Sequence, residues 1–177
     1  MNLVGNFVSL RAVEPSDAST LFLWENDPKN WRISHTEIPF SMHNIHQLIE
    51  QFSSLRQSGH LRLIIEGKEA RNPIGAIDLY DVNFKHGFGT VGVLIADPSF
   101  RNKGYASEAL TLFISYCRDT LELSNLCCQV HGDNVESIGL FKKLNFREIG
   151  TKKNWYQYKG KRVDEILFQL WIKALFQ

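Results

Sequence analysis

Short blocks of apolar and polar residues follow one another along the chain, and their period switches between two and about 3.6 residues. Phe7–Val13 alternates and predicts a strand, and Pro15–Glu25 predicts a helix with Ala18, Leu21 and Phe22 on one face. Ser41 is an N-cap candidate for the next helix, where Ile45, Leu48, Ile49, Phe52 and Leu55 recur at helical spacing until Gly59 stops it. Leu61–Glu66 and Pro73–Tyr80 predict strands around a turn containing Gly67 and Asn72. Thr90–Ala96 is almost continuously apolar, the pattern of a strand buried on both faces. A helix from about Gly104 to Thr120 is predicted to bury Ala106, Ala109, Leu110, Phe113 and Cys117. Leu126–His131 predicts a strand, and Val135–Leu144 a short helix closed by Asn145, a residue that tolerates the left-handed C′ conformation. Phe146–Tyr158 and Arg162–Trp171 predict a closing hairpin around Lys159-Gly160. The sum is an α/β fold, a mixed and mostly antiparallel sheet of about seven strands flanked by about four helices, in one domain spanning 1–177.

The length of 177 residues fits one domain with a sizeable core. Hydrophobic residues at 44% and charged residues at 22% exclude wholesale disorder. Twenty basic residues against nineteen acidic leave a net charge of +1, so neither nucleic acid nor an anionic membrane is an expected partner. No apolar run approaches the ~18 residues of a membrane span, and the opening MNLVGNFVSLRAVEP lacks a leader pattern. Cys117, Cys127 and Cys128 are few and odd in number, which fits a reducing cytoplasm.

Several motifs carry less than they suggest. Gly87, Gly89 and Gly92 spell GxGxxG, but the string precedes a strand, whereas a dinucleotide fingerprint follows a strand and opens a helix. Cys127 and Cys128 are adjacent on a predicted strand, point to opposite faces and match no zinc spacing with Cys117 or His131, so no metal is expected. Neither a P-loop nor a GxSxG elbow occurs. His35, His43, His46, His60 and His86 fall in predicted loops or on a helix flank and are expected at the surface rather than in catalysis.

The informative stretch is Asp97-Pro98-Ser99-Phe100-Arg101-Asn102-Lys103-Gly104-Tyr105-Ala106, which joins a buried strand to an amphipathic helix. Pro98 ends the strand, Gly104 allows close backbone approach and Ala106 keeps the first helical turn thin. Free N–H groups at a positive helix end, flanked by Arg101 and Lys103, form a cradle for phosphate or pyrophosphate.

Arg101-x-x-Gly104-x-Ala106 resembles the R/Q-x-x-G-x-G/A signature of the GCN5-related N-acetyltransferases (GNAT). Asn134-Val135-Glu136-Ser137-Ile138-Gly139-Leu140-Phe141-Lys142-Lys143-Leu144-Asn145-Phe146 is similar to their second cofactor-contact segment, N-x-x-[AS]-x-x-L-[YF]-x-K-L-G-F. The opening Val8–Ala18 and the segment Ile74–Leu79 also resemble the family's first strand and helix and its third strand. Tyr158–Asp164 resembles a hairpin of its ribosomal-protein N-terminal and spermidine acetyltransferase subgroups. The resemblance implies transfer of acetyl from acetyl-CoA, as co-substrate, to an amine of a protein N-terminus or a small molecule. A spermidine or other polyamine acetyltransferase, or a non-catalytic acyl-CoA-binding module, is the alternative. A homo-oligomer is left open.

Carried over from the resemblance, backbone groups of Leu94, Ile95 and Ala96 would pair with pantetheine, and one N–H would stabilise the oxyanion. Arg101, Asn102, Lys103, Gly104, Tyr105 and Ala106 would hold the pyrophosphate. Asn134 would touch the pantetheine arm, with Phe141 and Lys143 on the neighbouring helix. Phe141 stands where many relatives have a tyrosine that protonates the departing thiolate. A thiol that ionises near ~8.5 leaves tolerably without that acid. Ser137, one turn earlier, is the candidate to orient the thiolate or a water, against the reading of a local helix-start residue. Glu37 and Asp78 are the candidates for meeting the acceptor amine; Asp78, Asp81 and Asp133 are the weaker candidates for a base.

Overall fold

A computed structural model describes residues 3–69 and 71–172. Residues 1–2 and 173–177 of the predicted domain, and Ala70 in the predicted turn before Asn72, lie outside the described residues. One seven-stranded sheet runs in the order β1-β2-β3-β4-β5-β7-β6. Its strands are β1 (Val8–Ala12), β2 (Leu61–Gly67), β3 (Asn72–Asn83), β4 (Phe88–Ile95), β5 (Asn125–His131), β6 (Arg147–Tyr158) and β7 (Lys161–Trp171). Every neighbouring pair is antiparallel except β4 and β5, so the sheet is mixed as expected.

Six α-helices are described, α1 (Ala18–Glu25), α2 (Pro28–Ser34), α3 (Met42–Phe52), α4 (Leu55–Ser58), α5 (Tyr105–Asp119) and α6 (Val135–Lys143). The long helix expected after Ser41 breaks at Ser53-Ser54, and its Gly59 stop is real, at φ 67°. Ser41 caps α3 reciprocally with Asn44. The sequence pattern does not reveal α2. Seven residues with only Asn30 buried give no apolar stripe, so Asp27 capping Lys29 N and Pro28 at the first position define this helix instead.

Strand β2 sits between two cores because alternate side chains point to opposite faces. Ile64 packs with Ala18, Leu21, Ile45 and Ile49 of α1 and α3. Leu63 and Ile65 join a larger cluster with Ala109, Leu110, Phe113 and Cys117 of α5, and with Phe141 of α6. Full burial of a side chain such as Phe113 contributes roughly 1.5–3 kcal/mol.

The sheet opens at its centre. β4 pairs with β5 only over Phe88–Thr90 against Asn125–Cys127, and then the two strands part. Each keeps its outer ladder along its length, β4 with β3 up to Ile95 and β5 with β7 up to His131. The opening therefore costs only the inner ladder, whose N–H and C=O groups are left for another partner.

Candidate active site

The opening between β4 and β5 holds two cavities that meet. An inner one of about 450 Å³ is walled by α1, α2, β2, β3, β4, β5, α6 and β6. An outer groove of about 400 Å³ runs to the start of α5. Asn30, Ile33, Val93, Leu94, Asn134 and Ser137 line both.

The groove ends on the Arg101–Ala106 loop, as the sequence pattern predicts. Arg101, Asn102, Gly104, Tyr105, Ala106 and Lys143 line it; Lys103 is exposed and does not. Gly104 takes φ +88°, caps a fifteen-residue helix without a side-chain cap, and a Cβ built on it meets open space. Uncapped N–H groups with open space in front of Gly104 suit an anion. Arg101 Nε donates to Ile95 O at 3.0 Å, which ties the loop to the end of β4.

Strand parity corrects the expected backbone contacts. Ala96 N already donates to Ile74 O at 2.9 Å. Given the β3–β4 register, alternation turns the N–H groups of Leu94 and Gly92 toward β3 and those of Val93 and Ile95 toward the opening. Val93 and Ile95, rather than Leu94 and Ala96, therefore present free donors there.

On the far wall, Asn134 caps α6: its Oδ1 accepts from Ser137 N at 3.1 Å. The cap is Asn134's, and Ser137 lines both cavities. Phe141 is 4% exposed, sits edge-on to Phe146 at 5.1 Å and lines the inner cavity rather than the groove.

Charge in the inner cavity is organised around Arg62. Its guanidinium bonds Glu25, and it bonds Asp78 through two nitrogens at 2.7 and 3.1 Å. His60 Nε2 lies 2.9 Å from the same carboxylate. Burial pushes the Asp78 carboxyl up, but Arg62 and His60 outweigh it and hold it below the usual carboxylate range. Asp78 thus lines the cavity as a paired, ionised group, which removes it as a free base. Burial and then Asp78 push the Tyr80 phenol up to about 12. Glu37 is exposed between α2 and α3 and lines neither cavity; Asp133 pairs with Arg32 at 2.5 Å outside both.

The opposite wall carries residues that sequence reasoning passed over. His131 ends β5, and its ring lies 4.3 Å from Tyr156 of β6 and 5.4 Å from His35, centre to centre. The Tyr156 hydroxyl donates to Glu165, which also receives Lys152 Nζ at 2.5 Å. His35 is exposed, as expected, yet also lines the cavity, and half-buried His60 lines it too. The available signal was polar residues in apolar strands: Arg62 and Asp78 face each other in the β2–β3 ladder, as His131 and Glu165 do in β5–β7.

Among the described residues, no helix is long and apolar enough to cross a membrane. The model of the acetyltransferase (GNAT) domain family matches residues 8–147. An uncharacterized N-acetyltransferase p20 of Bacillus licheniformis is 26% identical over 167 residues, 92% of each chain. The human alpha/beta-tubulin-N-acetyltransferase 9 is 38% identical over 63 residues, 36% of this chain and 30% of that protein. The structure of Vibrio cholerae spermidine N-acetyltransferase with CoA and spermine shares the fold at TM-score 0.84 and 20% identity, over 94% of this chain and 96% of that one. With a family model spanning both walls of the opening and N-acetyltransferases among its full-length relatives, the chain belongs to the GNAT family and is an N-acetyltransferase.

Proposed function

We propose that the protein transfers acetyl from acetyl-CoA to a single amine at the N-terminus of a protein or peptide. The observation that carries the acceptor is the pairing of both inner carboxylates, Glu25 and Asp78, with Arg62. A polyamine needs unpaired negative charge along its length. Here two carboxylates and one guanidinium leave a net charge of one, which suits one ammonium group. The outer groove supports acetyl-CoA: pyrophosphate at the uncapped start of α5, the pantetheine arm along Val93 and Asn134 Nδ2. The N–H groups of Val93 and Ile95 can donate to a thioester oxygen as charge builds on it. Acetyl-CoA supplies the acyl group and the thiolate leaving group.

The test is thiol release from acetyl-CoA with short free-N-terminal peptides and with spermidine. We expect turnover with peptides and little with spermidine; turnover with spermidine alone would overturn the acceptor.

Ser137 is the residue we assign to the leaving group. It lines both the groove and the inner cavity, where its hydroxyl can donate to a departing thiolate. Because Asn134 supplies the cap, Ser137→Ala leaves α6 capped. Turnover should fall on the order of tenfold to a hundredfold, with CoA affinity and melting temperature near wild type. Unchanged turnover in steady-state assays would remove Ser137.

A further inference from the structure

We propose that His131 takes the proton from the acceptor ammonium and that Tyr156 and Glu165 hold its ring in place; this rests on the acetyl-transfer reading above. His131 lines the inner cavity, and its Nε2 is buried with no hydrogen-bond partner among the described residues. Buried ring nitrogens are ordinarily satisfied, so one without a partner, on a residue that walls a substrate-sized cavity, marks a place where a ligand's donor belongs. The acceptor's N–H is that donor.

The ring packs against Tyr156. The two rings lie tilted at 4.3 Å, and His35 stacks on Tyr156 at 4.8 Å. A bulge in β6 aims Tyr156 inward. Lys152 pairs with Glu165 and Tyr156 with Val163, so the residues between them loop out. Asn154 takes φ +52° there, and Asp164 accepts from Asn154 N at 2.8 Å and from Lys153 Nζ at 2.7 Å. The Tyr156 hydroxyl remains a donor, because burial and then Glu165 push its phenol up.

The neighbours decide the proton's place. Burial lowers the His131 imidazole, and the charges of His35 and Arg32 on the α2 side lower it further; Asp133 after β5 and Glu165 on β7 pull the other way and lose. The ring is neutral near pH 7 and free to accept. One proton passes from the ammonium to Nε2 and on to solvent. The amine nitrogen then bonds the acetyl carbon as the C–S bond breaks. The nitrogen's second proton ends on the CoA thiolate, and neutral amide and thiol result.

The two classes of amine differ in how readily they give up this proton. An α-amine ionises near ~7.7–8.0 and an alkyl amine such as that of lysine near ~10.4. Transfer to the same imidazole is therefore more favourable for the α-amine by roughly a few hundredfold. That ratio is set by the amines and would hold for any base; His131 supplies the place that the proton goes.

The experiment compares wild type, His131→Gln, His131→Ala and Tyr156→Phe with a free-N-terminal peptide, alongside CoA affinity and a pH profile of kcat. His131→Gln should keep CoA affinity and lose kcat on the order of a hundredfold or more. The wild-type fall in kcat on the acid side, which should lie below the ordinary imidazole range, should vanish in it. Imidazole in the buffer should restore part of the His131→Ala rate, which a merely structural histidine would not allow. Tyr156→Phe should keep the acidic limb but move it. An active wild type whose His131→Gln variant keeps both rate and limb overturns this inference alone. A wild type that acetylates no amine overturns the acetyl-transfer reading with it.

Discussion

Gly104→Glu is expected to weaken CoA binding by roughly a hundredfold or more while leaving the protein folded. Two features separate affinity from stability at this position. No atom lies within 4 Å of a Cβ built on Gly104, so a side chain displaces nothing in the protein. It projects instead into the space before the first turn of α5, where a carboxylate would face the diphosphate and neutralise the positive helix end. Like charges brought together in a binding site cost several kcal/mol, and each 1.4 kcal/mol is about tenfold in affinity. The φ of +88° adds strain of about 1–2 kcal/mol for any L-residue, a fall of a few degrees in melting temperature at this chain length. Gly104→Asn provides the control, since asparagine tolerates the left-handed region and carries no charge. Calorimetry should find CoA binding strong in the Asn variant and nearly absent in the Glu variant. Equal affinities in two folded variants would remove the pyrophosphate from this loop.

The Arg101–Ala106 end of the groove was legible in the sequence because its geometry is local. Pro98, Gly104 and Ala106 act through the backbone within a single turn, and their order in the chain is their order in space. The inner cavity was not, because it is assembled by register. Arg62 reaches Asp78 only because the two residues oppose each other across β2 and β3. Tyr156 reaches His131 only through a bulge whose pin, Asp164, lies ten residues beyond Asn154. The change of free donors from Leu94 and Ala96 to Val93 has the same origin. A strand's extent can be read from apolar runs, but which of its N–H groups face an opening depends on the partner's register, here revealed by the bond from Ala96 N to Ile74 O.

Arg62→Met is expected to be among the most destabilising single changes in the inner cavity. The guanidinium side chain is 15% exposed, and its partners Glu25 and Asp78 are 13% and 15% exposed. Methionine can occupy much of the stem's volume and keep contact with Phe52, whose ring lies 5.0 Å below the guanidinium. The two carboxylates are then left facing each other with only His60 as a partner for Asp78. Removing one member of a buried ionic cluster typically costs about 3–5 kcal/mol, a fall on the order of 10 °C in melting temperature for a chain of this length. The sign of the pH dependence follows from Asp78, whose folded carboxyl is held below its ordinary value. Its contribution in the wild type is present above the unfolded value of about 3.9 and is lost as pH falls through the folded one. Without Arg62 the Asp78 carboxyl rises, so the deficit of the variant should be greatest near neutral pH and shrink in acid. Neutralising all three groups, as Glu25→Gln, Asp78→Asn and Arg62→Met together, should recover most of the lost stability, because no charge is then left unpaired. The same single variant probes specificity. Two freed carboxylates should draw spermidine into the cavity more strongly than the wild type does, and an unchanged spermidine affinity in folded Arg62→Met would show that charge pairing does not govern the choice of amine.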